Sequence, residues 1–168
     1  GLVHISIDHP LARHHRLEVE LMERYHLTKA IVVPTQSRPE ATVDVVASAA
    51  ADRLTTLRPA PQVIGVSWGR TLAQVTRHLR PGWVHNITVA QTNGGVAITR
   101  NDLVGRSVVA MAELGRGRAM TLQAPTILGS AQLCRMLRED DALSRTLQTA
   151  SAADLLVYSP GPASTDSV

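Results

Sequence analysis

The residues of this chain whose types and spacing could do chemistry are concentrated in one short run, Ser67-Trp68-Gly69-Arg70-Thr71. The run follows the apolar stretch Val63–Val66 and precedes Leu72, Val75 and Leu79, which recur at helical intervals. It therefore reads as the turn between a strand and a helix. The hydroxyls of Ser67 and Thr71 and the amides of Gly69, Arg70 and Thr71 would meet at the start of that helix, where the macrodipole favours an anion. Arg70 would add a charge-assisted bond to a phosphate. The turn lacks the lysine of a P-loop and the third glycine of a dinucleotide fingerprint, which argues against a nucleotide. The same pattern also fits a plain strand–helix turn with Trp68 in the core, and the local spacing leaves these two readings level.

A second candidate is Gln91-Thr92-Asn93-Gly94-Gly95, again after an apolar run. Asn-Gly-Gly reads most simply as a tight turn. As a polar loop it would offer Gln91, Thr92 and Asn93 to sugar hydroxyls. Ala124-Pro125-Thr126 and Ser159-Pro160-Gly161-Pro162 follow two further apolar runs. Four such loops carry more weight together than one, because ligands of open parallel sheets bind beyond the carboxyl ends of the strands. The remaining reactive side chains have simpler explanations. His14 and His15 are adjacent, yet none of the seven histidines shows an HExxH-type spacing, so neither a metal nor another cofactor is expected. Cys134 keeps helical company with Leu133, Met136 and Leu137 and reads as a small buried hydrophobe. Asp140-Asp141 reads as a helix start. No carboxylate stands beside either glycine loop. Asp102 is the nearest, and a helix N-terminal role explains it equally well, so no catalytic residue is assigned.

The elements that must position these loops follow from the periodicity. Ala30–Pro34, Gln62–Ser67, Asn86–Gln91, Arg118–Gln123 and Asp154–Ser159 are short, aliphatic or β-branched runs bounded by Pro, Gly or polar residues, and read as strands. Helical patterns cover Leu17–His26, Pro39–Leu57, Thr71–Leu79, Asn101–Leu114 and Ser130–Leu147, the last breaking near Glu139-Asp140-Asp141. Strand–helix alternation of this kind predicts an α/β fold with a mainly parallel, doubly wound sheet. A length of 168 residues suits one domain. With no phenylalanine, the interior must be filled by Leu, Val, Ile and Ala, which suits strands covered on both faces. The net charge of +3 comes from scattered arginines without a basic block or interleaved aromatics, so this segment is not expected to bind nucleic acid directly. A single cysteine, no signal-like start and no run long enough to span a membrane lead to the expectation of a cytoplasmic protein.

Taken together, "VIGVSWGRTLAQV", "AIVVPT", "QTNGG" and "ADLLVYSPGPASTDS" resemble the effector-binding domain of the SorC family of bacterial transcriptional regulators. The resemblance covers nearly the whole chain, and the first of these motifs is its most specific part. It implies the doubly wound, Rossmann-like fold of glucosamine-phosphate and ribose-phosphate isomerases. It also implies a domain that binds a sugar or sugar phosphate as a signal without turning it over, and so controls oligomerisation and DNA binding. On that resemblance Ser67, Gly69, Arg70 and Thr71 would hold the effector phosphate, with Gln91, Asn93, Gly94 and Gly161 on the sugar side. A homo-oligomer would be expected. Operator DNA would be reached only through a helix-turn-helix that does not precede Gly1, and residues 1–168 would form one domain that stops short of the family's C-terminal end. "VYSPG" replaces the family's "VGIG", which reshapes the loop before Gly161. The rival reading on the same fold is a sugar-phosphate isomerase, which would need a positioned acid–base pair.

Overall fold

The computed structural model describes residues 10–95 and 103–160. In chain order these form α1 (Pro10–Tyr25), α2 (Pro39–Thr56), β1 (Val63–Val66), α3 (Arg70–His78), β2 (Thr88–Gln91), α4 (Leu103–Leu114), β3 (Arg118–Met120), α5 (Ala131–Glu139), α6 (Asp141–Ser151) and β4 (Leu155–Val157). The four strands make one sheet in the order β3-β2-β1-β4, and every pairing is parallel. Val66, at the end of β1, lies between Gln91 on one side and Val157 on the other.

Parallel neighbours need crossovers, and crossovers are right-handed. The steps β1–α3–β2 and β2–α4–β3 run in one direction across the sheet, so α3 and α4 share a face, where α2 joins them. The step from β3 back past β1 to β4 runs the other way and carries α5 and α6 to the opposite face, where α6 packs on β1 and β2. The sheet is thus wound on both sides, as its aliphatic strands require. Ile64, Val66 and Val89 are fully buried, together with Val75, Val108 and Met111 from the covering helices. Trp83 joins this core, and its indole Nε1 donates to the Met111 carbonyl at 3.2 Å.

Local chemistry explains the ends of several elements. Pro39 opens α2 at its first turn, where a missing amide costs nothing, after an extended Arg38. The predicted break near Glu139 is made by Asp140. It ends α5, and its carboxylate accepts from the Ala142 and Leu143 amides at 3.0 Å each, capping α6. The Asp154 carboxylate accepts from the amides of Gln62 and Val63 at 2.8 and 2.9 Å, tying the start of β4 to the start of β1. Those two amides hold its carboxyl below the usual carboxylate range.

One predicted strand is absent. Ala30–Pro34 has the composition of a strand but pairs with none. Ile31 and Val33 share a cavity with Leu155–Val157 of β4, whose outer edge the segment leaves unpaired. The Val32 amide donates instead to Glu18 of α1, at 2.9 Å.

Candidate functional site

The strand order places β1 at the point where the winding reverses. Chain progress from β1 leads one way to β2 and β3, while β4 lies on the other side. In open α/β sheets the crevice beyond the carboxyl ends of strands at such a point is the usual ligand position. The turn leaving β1 there is held from both sides. The Ser67 amide donates to the Val157 carbonyl, and the Thr92 amide donates to the Val66 carbonyl, both at 3.0 Å. Gly65 keeps this region tight, since a Cβ there would stand 2.5 Å from Leu156 Cδ2 and 2.9 Å from Thr92 Cγ2.

Beyond that clamp the turn is open. Gly69 is the N-cap of α3, no side chain caps the helix, and its first turn holds no acid. Nothing among the described residues lies within 4 Å of where a Gly69 Cβ would be. The hydroxyls of Ser67 and Thr71 and the guanidinium of Arg70 make no bond to any described residue. Both hydroxyl residues are half-buried, and Arg70 is exposed. The last turn of α3 carries Arg77, where a cation suits the dipole, and His78, whose Nε2 meets Asp44 Oδ1 of α2 at 2.8 Å. The four residues named from sequence for an anion therefore stand at one helix start, with the side-chain polar groups of Ser67, Arg70 and Thr71 unbonded to any described residue. Trp68, between them, has an indole nitrogen that is shielded from solvent and has no hydrogen-bond partner.

The loops after β2 and β3 are fastened to each other. Gly95 N donates to the Ala124 carbonyl and Thr126 N to the Gly95 carbonyl, both at 2.9 Å, and Thr126 Oγ1 donates to the Gly94 carbonyl. Gly94 is required by this approach, because a Cβ would lie 2.1 Å from the Ala124 carbonyl oxygen and 2.6 Å from Pro125 C. Gln91 has a different place from the one read in the sequence. It is 3% exposed. Its amide nitrogen donates to the Asn93 carbonyl at 2.7 Å, and its amide oxygen accepts from the Leu122 amide at 3.2 Å. One N–H and one lone pair of the amide are thus used between the two loops, and the side chain is buried there. Asn93 does face open space.

With Thr92 and Gly94, Asn93 lines a cavity of about 230 Å³ whose far wall is the α5–α6 hairpin, including Cys134 and Arg138. Cys134 is half-buried in that wall, where the sequence pattern suggested a core position. Arg138 and Thr126 were not singled out from the sequence. The one signal for Arg138 is its position four residues after Cys134, which puts both on one helix face. Among the described residues no carboxylate and no histidine lines this cavity. Gly161 and Asp102 lie outside the described residues. Among the described residues no three of His, Cys, Asp and Glu converge, and no helix is long and apolar enough to cross a membrane.

Residues 9–168 match a protein-family model described as "Putative sugar-binding domain". Among curated proteins, the deoxyribonucleoside regulator of Bacillus subtilis is 27% identical over 164 residues, which is 96% of this chain and 52% of that protein. The transcriptional regulator YjhU of Escherichia coli is 25% identical over 146 residues, 83% of this chain and 44% of that protein. The chain thus spans about half the length of these relatives. Among solved structures, a DeoR family transcriptional regulator from Listeria monocytogenes superposes with a TM-score of 0.75 at 22% identity, covering 91% of this chain and 62% of that one. A probable sor operon regulator from Shigella flexneri gives 0.77 at 16% identity, covering 84% and 59%. These structural likenesses establish the doubly wound fold, and the family match extends over almost the whole chain. The chain belongs to the family that this sugar-binding domain model describes.

Proposed function

We propose that this chain is the effector-sensing part of a cytoplasmic transcriptional regulator and that its ligand is a sugar phosphate. The phosphate would sit at the start of α3, on the amides of Arg70 and Thr71 and the hydroxyls of Ser67 and Thr71, with Arg70 reaching in from the exposed side. The sugar would extend toward Asn93 and the cavity beside it. The observation that carries this reading is the uncapped start of α3, with its hydroxyls uncommitted, at the reversal point of a sheet whose family binds sugars. Ligand binding would then bias the arrangement of a homo-oligomer, and through it the DNA affinity of a longer protein, because a ligand shifts an equilibrium only by binding one state better than another.

An isomerase reading finds less support. Among the described residues the cavity lining holds no carboxylate, histidine or lysine to act on a sugar carbon, and both curated relatives are named as regulators.

A thermal-shift series of phosphorylated against unphosphorylated sugars tests the proposal. At a ligand concentration 100-fold above Kd, the stabilisation is about 2.7 kcal/mol. For a chain of this size that raises Tm by roughly 5–11 °C. Thr71→Ala removes one hydrogen bond to a charged group, worth about 1.5–3 kcal/mol, and should weaken binding by roughly 10–150-fold. No response to any phosphorylated sugar, or an unchanged response in Thr71→Ala, refutes the phosphate assignment.

A further inference from the structure

The two tryptophans of this chain are treated differently by the fold. Trp83 is buried in the core, and its Nε1 donates to the Met111 carbonyl. Trp68 lies in the turn between β1 and α3. Its Nε1 is also shielded from solvent, and it is the one such side-chain nitrogen or oxygen among the described residues with no partner. Buried donors are nearly always paired, because losing water without gaining an acceptor is costly. A side chain kept only to fill space would not need the indole nitrogen. The unpaired donor stands in the same five residues as the hydroxyls of Ser67 and Thr71, which are also uncommitted, and next to Gly69, which has open space beside it.

We infer that Trp68 is a ligand-coupled donor, whose indole N–H gains its acceptor when an anion binds at the start of α3 and the turn closes on it. Trp68 then makes two opposite contributions. It burdens the free protein with a buried, unpaired N–H, and it repays this when ligand binds. Part of the affinity of the site thus comes from relief of a cost built into the turn. The inference rests on the phosphate reading of that turn.

Trp68→Phe, which keeps an aromatic ring and removes the N–H, separates this from a packing role. The expected result is a pair of opposite signs. The free variant melts a few degrees above wild type, as removal of an unpaired buried donor predicts. Its affinity for inorganic phosphate and glucose 6-phosphate falls about tenfold (1.4 kcal/mol). In ¹⁵N-labelled wild-type protein, the indole resonance of Trp68 shifts with either probe, and that of Trp83 stays in place. A free variant that melts below wild type, binding equal to wild type, or a static Trp68 resonance at saturation would overturn the inference. The two failures are distinguishable. If wild type responds to neither probe, the phosphate reading itself falls and this inference with it. If wild type responds and Trp68→Phe responds equally, only the role of Trp68 falls.

Discussion

Gly94→Ala would place a methyl group in backbone that has no room for it. The new Cβ would stand 2.1 Å from the Ala124 carbonyl oxygen, 2.6 Å from Pro125 C and 2.7 Å from the Pro125 oxygen. All three are main-chain atoms, so no side chain can swing aside. The loops after β2 and β3 must part. In parting they strain or lose the Gly95–Ala124 and Thr126–Gly95 bonds, both 2.9 Å, and the bond from Thr126 Oγ1 to Gly94. Overpacking of this kind costs about 1–3 kcal/mol. Each net hydrogen bond lost adds about 1 kcal/mol, so a total near 2–4 kcal/mol is expected. The neighbouring Gly95 supplies the control, because nothing among the described residues lies within 4 Å of its Cβ position. Gly95→Ala should change stability by no more than about 0.5 kcal/mol. Urea melts of the two variants against wild type give the comparison directly through the midpoints at constant slope. If both variants fall within about 0.5 kcal/mol of wild type, the loops are not held by this approach and the argument for a joined loop pair is wrong.

Two further predictions concern the same framework. Gln91→Leu keeps the volume but leaves the Leu122 amide without its acceptor and the Asn93 carbonyl without its donor, so it should cost about 1–3 kcal/mol in a urea melt despite being more apolar. A stabilised Gln91→Leu would show that the amide is not needed to hold the loops. The carboxyls of Asp154 and Glu18 are both held below their ordinary values, chiefly by backbone amides, from Val63 and Gln62 for Asp154 and from Val32 for Glu18. A lowered folded-state value means stability that is fully present above the unfolded-state carboxylate range and is lost as pH falls through the lower folded-state values. Melting temperature should therefore drop on acidification through and below that range. The drop should be shallower in Asp154→Asn, which is less stable at neutral pH. Parallel curves for variant and wild type would remove Asp154 from the account.

How much of this was legible in the sequence depended on how local its cause was. The turn at Ser67–Thr71 could be read because an aliphatic strand, a glycine and a helical stripe follow one another directly. The break at Asp140 could be read because a capping carboxylate acts on amides two and three residues away. Ala30–Pro34 misled for the opposite reason. Its composition suits a strand, but pairing depends on tertiary partners, and here the Val32 amide goes to Glu18 of α1. The bond from the Leu122 amide to Gln91 could not be read in the sequence, because the two residues are 31 positions apart. The need for glycine at Gly94 likewise comes from Ala124 and Pro125 on another loop. Arg138 and Cys134 reach the cavity only because α5 and α6 cross to the opposite face of the sheet, a consequence of winding direction that no local pattern records.

The fastening of the loops after β2 and β3 divides the cavity into a fixed half and an adjustable one. Residues 91–95 and 124–126 share backbone bonds and a glycine contact, so a change in either loop has to be matched in the other. In the facing wall α6 is anchored on the sheet, but α5 is under no such obligation. Helix α5 has no buried residue, and it presents Cys134 and Arg138 from a surface that side-chain substitutions can recontour without disturbing the sheet. A protein built this way can change which small molecule it accepts by varying one loosely seated helix while the rest of its framework stays constant. Selection or engineering for a new ligand should therefore find its tolerated substitutions along α5, and its lethal ones at Gln91 and Gly94.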